Sequence, residues 1–276
     1  MNALATLAGK EIRDGMRNRW ALTATLVMAG LALVLAFMGS APTGHVGVPP
    51  LAVTVVSLTS LGVFLVPLIA LVLSHDALVS EVERGTMLLL LTYPVRRWQI
   101  VMGKFIGHSV LLGMAIIVGY GAAGILIMAA TSTWNWEQIL PFLLLIASTT
   151  ALGMVFLALG YLISALVREH ATAAGIAVGL WLLSALLFDM GLLGILAVSG
   201  GKGISPSLFG VILLLDPTDV FRLVNLTMTE TVRHHSGMAG VSAAASVSGW
   251  ALGVASAAWV ACPLACSITV FSRRPL

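Results

Sequence analysis

Cys262 and Cys266 are the residues whose chemistry is easiest to name. They stand four positions apart in an apolar run, with Pro263 between them. On a helix this spacing puts both sulfurs on one face, and the proline frees a carbonyl nearby. Soft sulfur ligands of that kind suit Cu(I). Against it, unpaired cysteines are common as small buried apolar residues, and thiols in lipid resist ionisation. Met228, Glu230, His234, His235 and Met238 form a second soft, imidazole-rich set. Their irregular spacing favours a solvated loop over a copper site, and Met38 and His45 are weaker still. Asp189 is the one carboxylate well inside an apolar stretch. Acids in such places are functional candidates; the competing role is a structural hydrogen bond at a seam between two copies. His75, Asp76 and His108 are expected to be solvated near one membrane surface. The sequence holds no evident Ser/His/Asp nucleophile set and no H-E-x-x-H zinc motif. Its 12 methionines are scattered singly and read as gap-filling core.

The elements that must position these residues follow from composition. Of 276 residues, 59% are hydrophobic and only 9% charged, and the mean hydropathy is +1.05. A soluble domain carries about 25% charged residues. An ordinary cytosolic enzyme, a disordered chain and a secreted disulfide scaffold are thereby excluded. Spanning helices need about 20 apolar residues. Six stretches qualify: Trp20–Met38, Leu51–Leu73, Phe105–Ala130, Ile139–Val167, Ala171–Val198 and Ser246–Phe271. The expected fold is an all-α membrane protein, one transmembrane domain over residues 1–276. It has an N-terminal interfacial segment (1–19), a charged loop (74–104) and a long loop before the last span (199–245).

Basic residues orient it. With the N-terminus in the cytoplasm, the inner segments hold Lys10, Arg13, Arg17, Arg19, Arg84, Arg96, Arg97, Lys104, Arg168, Arg273 and Arg274. The outer segments hold Lys202, Arg222 and Arg233. This asymmetry places both termini inside, and a pI near 9.2 reflects basic loops rather than nucleic-acid binding. Trp20, Trp134 and Trp136 fall at expected interfaces.

Three segments carry further information. Leu4, Leu7, Ala8, Ile12 and Met16 share one face of a helical wheel and Lys10, Arg13 and Arg17 the other, as in a helix lying along a membrane surface. The loop Ser74–Lys104 contains Ser80-Glu81-Val82-Glu83-Arg84-Gly85-Thr86-Met87, four leucines, then Pro94 and Arg97, and closes on Gly103-Lys104. Glycine allows a reversal and proline breaks the apolar run, so a short helix, a turn and a re-entry are expected. In the loop 199–245, Leu208–Leu215 is too short to span and reads as a re-entrant or interfacial helix. Asp216-Pro217-Thr218-Asp219 then reads as the cap of a short helix reaching Asn225. A partner-docking surface at Asp216, Asp219, Phe221 and Arg222 competes with a lid over the bundle.

The motif E-x-E-x-G-T-M, an apolar stretch, P-x-x-R and G-K, carried by Glu81, Glu83, Gly85, Thr86, Met87, Pro94, Arg97, Gly103 and Lys104, resembles the signature of type-2 ABC exporter permeases. Lys10-Glu11, Arg13-Asp14 and Arg17-Asn18-Arg19 resemble that family's elbow helix, which continues into Trp20. The resemblance implies a homodimer in the bacterial inner membrane and a coupling interface for a separate ATPase subunit. That interface would be formed by Ser80, Glu81, Glu83, Arg84, Gly85, Thr86, Arg168, Glu169 and His170. ATP and Mg would bind the partner, since this chain has no G-x-x-x-x-G-K-[ST] loop. Within the family, the opening segment, the Arg168–His170 turn and the 216–222 segment look closest to permeases linked to copper-site maturation of nitrous-oxide reductase. This implies copper as pathway cargo, or mechanical energy transfer, and a periplasmic accessory protein. The alternatives are a lipid or drug exporter of the same fold, or an intramembrane enzyme using Cys262, Cys266 or Asp189.

Overall fold

The computed structural model describes residues 3–17, 23, 26–34, 50–131, 136–199, 205–227 and 247–274. Among these the secondary structure is helical throughout, without strands. The helices are α1 (Ala3–Arg17), α2 (26–34), α3 (Pro50–Ser74), α4 (Val79–Glu83), α5 (Thr86–Leu91), α6 (Arg97–Thr131) and α7 (Trp136–Leu166). They continue with α8 (His170–Leu182), a π-helical turn (Leu183–Leu187), α9 (Phe188–Ser199), α10 (Pro206–Leu213), α11 (Pro217–Thr227) and α12 (Gly249–Arg273). Among the described residues, five stretches are long and apolar enough to cross a membrane: Thr54–Glu83, Arg97–Ala130, Ile139–Leu166, His170–Val198 and Gly249–Arg273. Of the expected first span, Trp20–Met38, residue 23 and α2 (26–34) are described, while the Met228–Met238 set, His45, Trp20 and Trp134 lie outside the described residues.

The core is built around α7, which packs along α3 on one side and α12 on the other, while α1 packs along the start of α6. Tyr120, Tyr161, Phe156 and Phe271 are its largest enclosed side chains. Trp181 Nε1 donates to the Phe64 carbonyl at 2.9 Å, fastening α8 to α3. A smaller apolar cluster of Leu213, Val220, Leu223 and Leu252 joins α10, α11 and α12 at the other end.

Two features differ most from the sequence reading. Helix α6 begins at Arg97 rather than Phe105. The charges there are paired, Lys104 with Glu11 of α1 and Glu81 of α4 and Arg97 with carbonyls at the end of α12, so the rule that charge ends a lipid-spanning helix does not apply. The fifth span is not one regular helix; the π-turn divides it. The turn at Arg168–His170, and α10 and α11, fall where expected.

Candidate functional site

The charged loop folds as a short helical hairpin. Gly85 joins α4 to α5 with φ of 70°, a left-handed conformation that any Cβ would strain. Helix α4 starts with two backbone donors that no intrahelical acceptor can meet. The Leu78 and Val79 N–H groups both donate to Ser164 Oγ of α7, at 2.9 and 3.0 Å. The glutamates at alternate positions project to different neighbours. Glu81 Oε1 accepts from Lys104 Nζ at 2.8 Å, and Glu83 Oε1 accepts from the His170 N–H at 3.4 Å, at the start of α8. Carboxylates favour helix N-termini, where N–H groups are free.

Lys104 is the centre of this end of the molecule. Only 4% exposed, it also donates to Glu11 Oε1 of α1 at 2.9 Å. Burial alone would raise the Glu11 carboxyl, but the neighbouring ammonium more than offsets that and holds it below the usual range. Glycine explains the close approach. A Cβ on Gly107 would lie 2.6 Å from Glu11 Cβ, and one on Gly103 2.7 Å from Leu7 Cβ. Glu11 Oε2 lies 3.7 Å from His108 Nε2, and His108 Nδ1 is hydrogen-bonded to Tyr161 of α7 at 2.8 Å. His108 is therefore buried, correcting the expectation that it is solvated; His75 and Asp76 are half-buried. A cavity of about 510 Å³ opens beside the cluster, bordered by Asp14, His75, Asp76 and Ser80.

Arg97 completes the arrangement. Its Nη1 donates to the carbonyls of Phe271, Ser272 and Arg274, at 3.3, 3.3 and 2.6 Å, capping α12. The hairpin is thus tied by polar bonds to α6, α7 and α8, its continuation through Arg97 to α12, and Lys104 to α1. Glu83, Arg84, Gly85 and Thr86 form the exposed tip, with Arg168, Glu169 and His170 exposed beside it; Ser80 and Glu81 are half-buried. Sequence reasoning assigned no role to Ser164 or Tyr161 and missed the bridging role of Lys104. The signal was Glu11, an acid on the apolar face of α1, which demands a buried cation.

At the opposite end the expected docking residues turn inward. Asp216, Asp219 and Phe221 are buried and Arg222 is half-buried. This corrects their reading as a surface for a partner: Arg222 Nη1 instead donates to Asp189 Oδ2 at 2.6 Å and Asp219 Oδ1 at 3.0 Å. Asp189 is therefore paired within the chain. Cys262 and Cys266 are exposed on α12 while Pro263 is buried, so neither is the enclosed apolar residue expected. Among the described residues no group of three or more metal-ligating side chains is placed to hold an ion. Lys10, Arg13 and Arg17 lie on the exposed side of α1 or at its edge.

A profile described as "ABC-2 family transporter protein" matches residues 5–276. The chain belongs to the ABC-2 transporter family. It is 44% identical over 277 residues to a protein of Pseudomonas aeruginosa, covering 100% of both chains. It is 41% identical over 275 residues to one of Stutzerimonas stutzeri, covering 99% of each. Both carry the name "Probable ABC transporter permease protein NosY". The chain is accordingly a multi-pass permease subunit of an ABC transporter, a kind of subunit that works with an ATPase partner.

Proposed function

We propose that two copies of this permease lie in a bacterial inner membrane with both termini in the cytoplasm. Each docks on an ATPase chain through the exposed tip Glu83–Thr86 and the adjoining Arg168–His170 turn. ATP-driven movement of the ATPases pushes on α4 and α5, and the spans carry it to the periplasmic side. The complex serves maturation of the copper site of nitrous-oxide reductase, delivering copper or mechanical energy to a periplasmic accessory protein. The observation that carries this reading is the anchoring of the hairpin. A loop tied to several spans by directed polar bonds transmits a push, whereas a solvated linker would absorb it. The name shared by the two relatives supports the copper-linked assignment.

The tip can be tested separately from the triad of Glu11, Lys104 and Glu81. Glu83→Lys combined with Arg84→Glu alters exposed charge while leaving Lys104 paired. The double variant should lose the ATPase on purification in mild detergent and keep its thermal unfolding profile. Full retention of the ATPase, with normal copper loading of the reductase in cells, would reject docking at this tip.

A further inference from the structure

The end of the chain away from the hairpin holds a second bridging cation. The fifth span changes character there. After the π-turn Leu183–Leu187, Asp189 sits in the first turn of α9. A π-turn displaces carbonyls from their regular intrahelical donors and recurs at functional positions. The Ser184 carbonyl accepts from Thr218 Oγ1 of α11 at 3.3 Å. Arg222, one turn further along α11, bridges Asp189 and Asp219. Asp216 caps the same helix, its Oδ2 accepting from the Thr218 and Asp219 N–H groups at 3.0 and 3.1 Å.

Within the described chain few apolar contacts hold this half of the span, Leu192 against the Leu213–Leu252 cluster among them. Met190, Leu193, Ile195 and Val198 are exposed, and α9 has no extensive packing against a helix other than the π-turn among the described residues. Helix α11, by contrast, is seated in the body of the fold. It packs on α7, α12 and α3, and Ser148 Oγ donates to Asn225 Oδ1 at 3.0 Å. The polar bonds therefore join an otherwise loosely held half-span to a well-packed helix. All three side chains of the bridge are less than one-third exposed, so neither acid exchanges its partner for water at little cost.

We infer that the Asp189–Arg222–Asp219 bridge, with the Thr218–Ser184 bond, is a latch that ties α11 to the fifth span beyond its π-turn. Movement of that half-span then carries α11 with it. The second statement rests on the ATP-driven reading proposed above; the first does not. Arg222 is thus a positioning residue, acting on a helix rather than on cargo.

Two readouts on the full chain in nanodiscs, co-purified with its ATPase, separate these statements. The first is hydrogen exchange of residues 188–199 without nucleotide. Arg222→Gln should speed it on the order of tenfold while α3 and α7 are unchanged, and the swap Asp189→Arg with Arg222→Asp should restore protection. The second is thiol labelling of Leu215→Cys, an exposed position, in a Cys262→Ser/Cys266→Ser background. Its ATP-dependent change, expressed per ATP hydrolysed, should fall at least about fivefold in Arg222→Gln and return in the swap. Unchanged exchange overturns the latch. Faster exchange with an intact ATP response overturns transmission through it. A parent that shows no ATP response overturns the ATP-driven reading and transmission together, and leaves the latch to be judged on exchange alone.

Discussion

Replacing Lys104 by Met should open the hairpin end of the molecule. Methionine retains much of the apolar stem but removes an ammonium bonded at 2.9 Å to Glu11 and 2.8 Å to Glu81. Two carboxylates then lose the cation between them, with half-exposed Lys10 still 3.6 Å from Glu11 Oε1, and their side chains are 11% and 22% exposed. Removing one partner from a buried ion pair costs about 3–5 kcal/mol. The exposure of Glu81 permits some rescue by water, which points to the lower end, about 3 kcal/mol. If opening is local to α1, α4 and α5, that is on the order of a hundredfold in the opening equilibrium. Trypsin cleavage after exposed Arg84 reads this, because cleavage of a transiently open state follows its population. The variant should be cut on the order of a hundred times faster than the parent. The triple variant Glu11→Gln/Glu81→Gln/Lys104→Met should recover most of the resistance, since charge is removed from every member. A Lys104→Met rate within about twofold of the parent would refute the triad as the hairpin's anchor. So would a triple variant that stayed as labile as the single one.

Other changes give distinct outcomes. Burial, with the charge of Asp189 next, raises the Asp219 carboxyl to about 7 despite Arg222. Between its ordinary 3.8 and about 7 the folded chain holds a proton that the unfolded chain has released. Stability should therefore fall as pH rises through that window, by up to about 4 kcal/mol, and Asp219→Asn should flatten the profile of detergent-solubilised chain. Gly85→Ala places a Cβ in the left-handed region and should cost about 1 kcal/mol, seen as faster cleavage after Arg84. Arg97→Ala leaves carbonyls at the end of α12 without their charged donor, and hydrogen exchange over residues 268–274 should rise on the order of tenfold.

The sequence was most informative where a backbone rule acts locally. The reversal at Gly85, the break at Pro94, the cap at Asp216 and the split at Arg168–His170 depend on residues adjacent in the chain, and each lies where those residues put it. The partners of charged side chains were less legible because they are set by how helices pack. Nothing near Glu81 in sequence says that Lys104 lies beside it, or that Glu11 shares the same cation. Docking at Asp216, Asp219 and Phe221 was argued from polarity on an outer loop, but α11 buries its polar face against the fifth span. The sequence contained the correcting signal: Asp189 in an apolar stretch requires a cation, and Arg222 was one of three basic residues on that side. The exposure of Cys262 and Cys266 depends on which face of α12 meets α7, which apolar periodicity over a nearly uniform helix leaves undetermined.

The scarcity of charge acquires a mechanical meaning from these placements. At each end of the bundle one cation bridges two carboxylates drawn from different elements: Lys104 joins α1 and α4 to α6, and Arg222 joins α9 to α11. Apolar replacements of similar volume could stabilise such contacts equally well or better, because burying ions is costly. What apolar side chains lack is a penalty for sliding. A leucine moved by a few ångströms along a neighbouring helix finds other carbon atoms, whereas a buried ammonium or guanidinium moved as far leaves its carboxylates uncompensated. The bridges therefore fix register between helices that would otherwise slip against one another. The transmission proposed above would need that property where the loops join the spans. It needs less of it along the lipid-facing middle, where the chain places few charged residues.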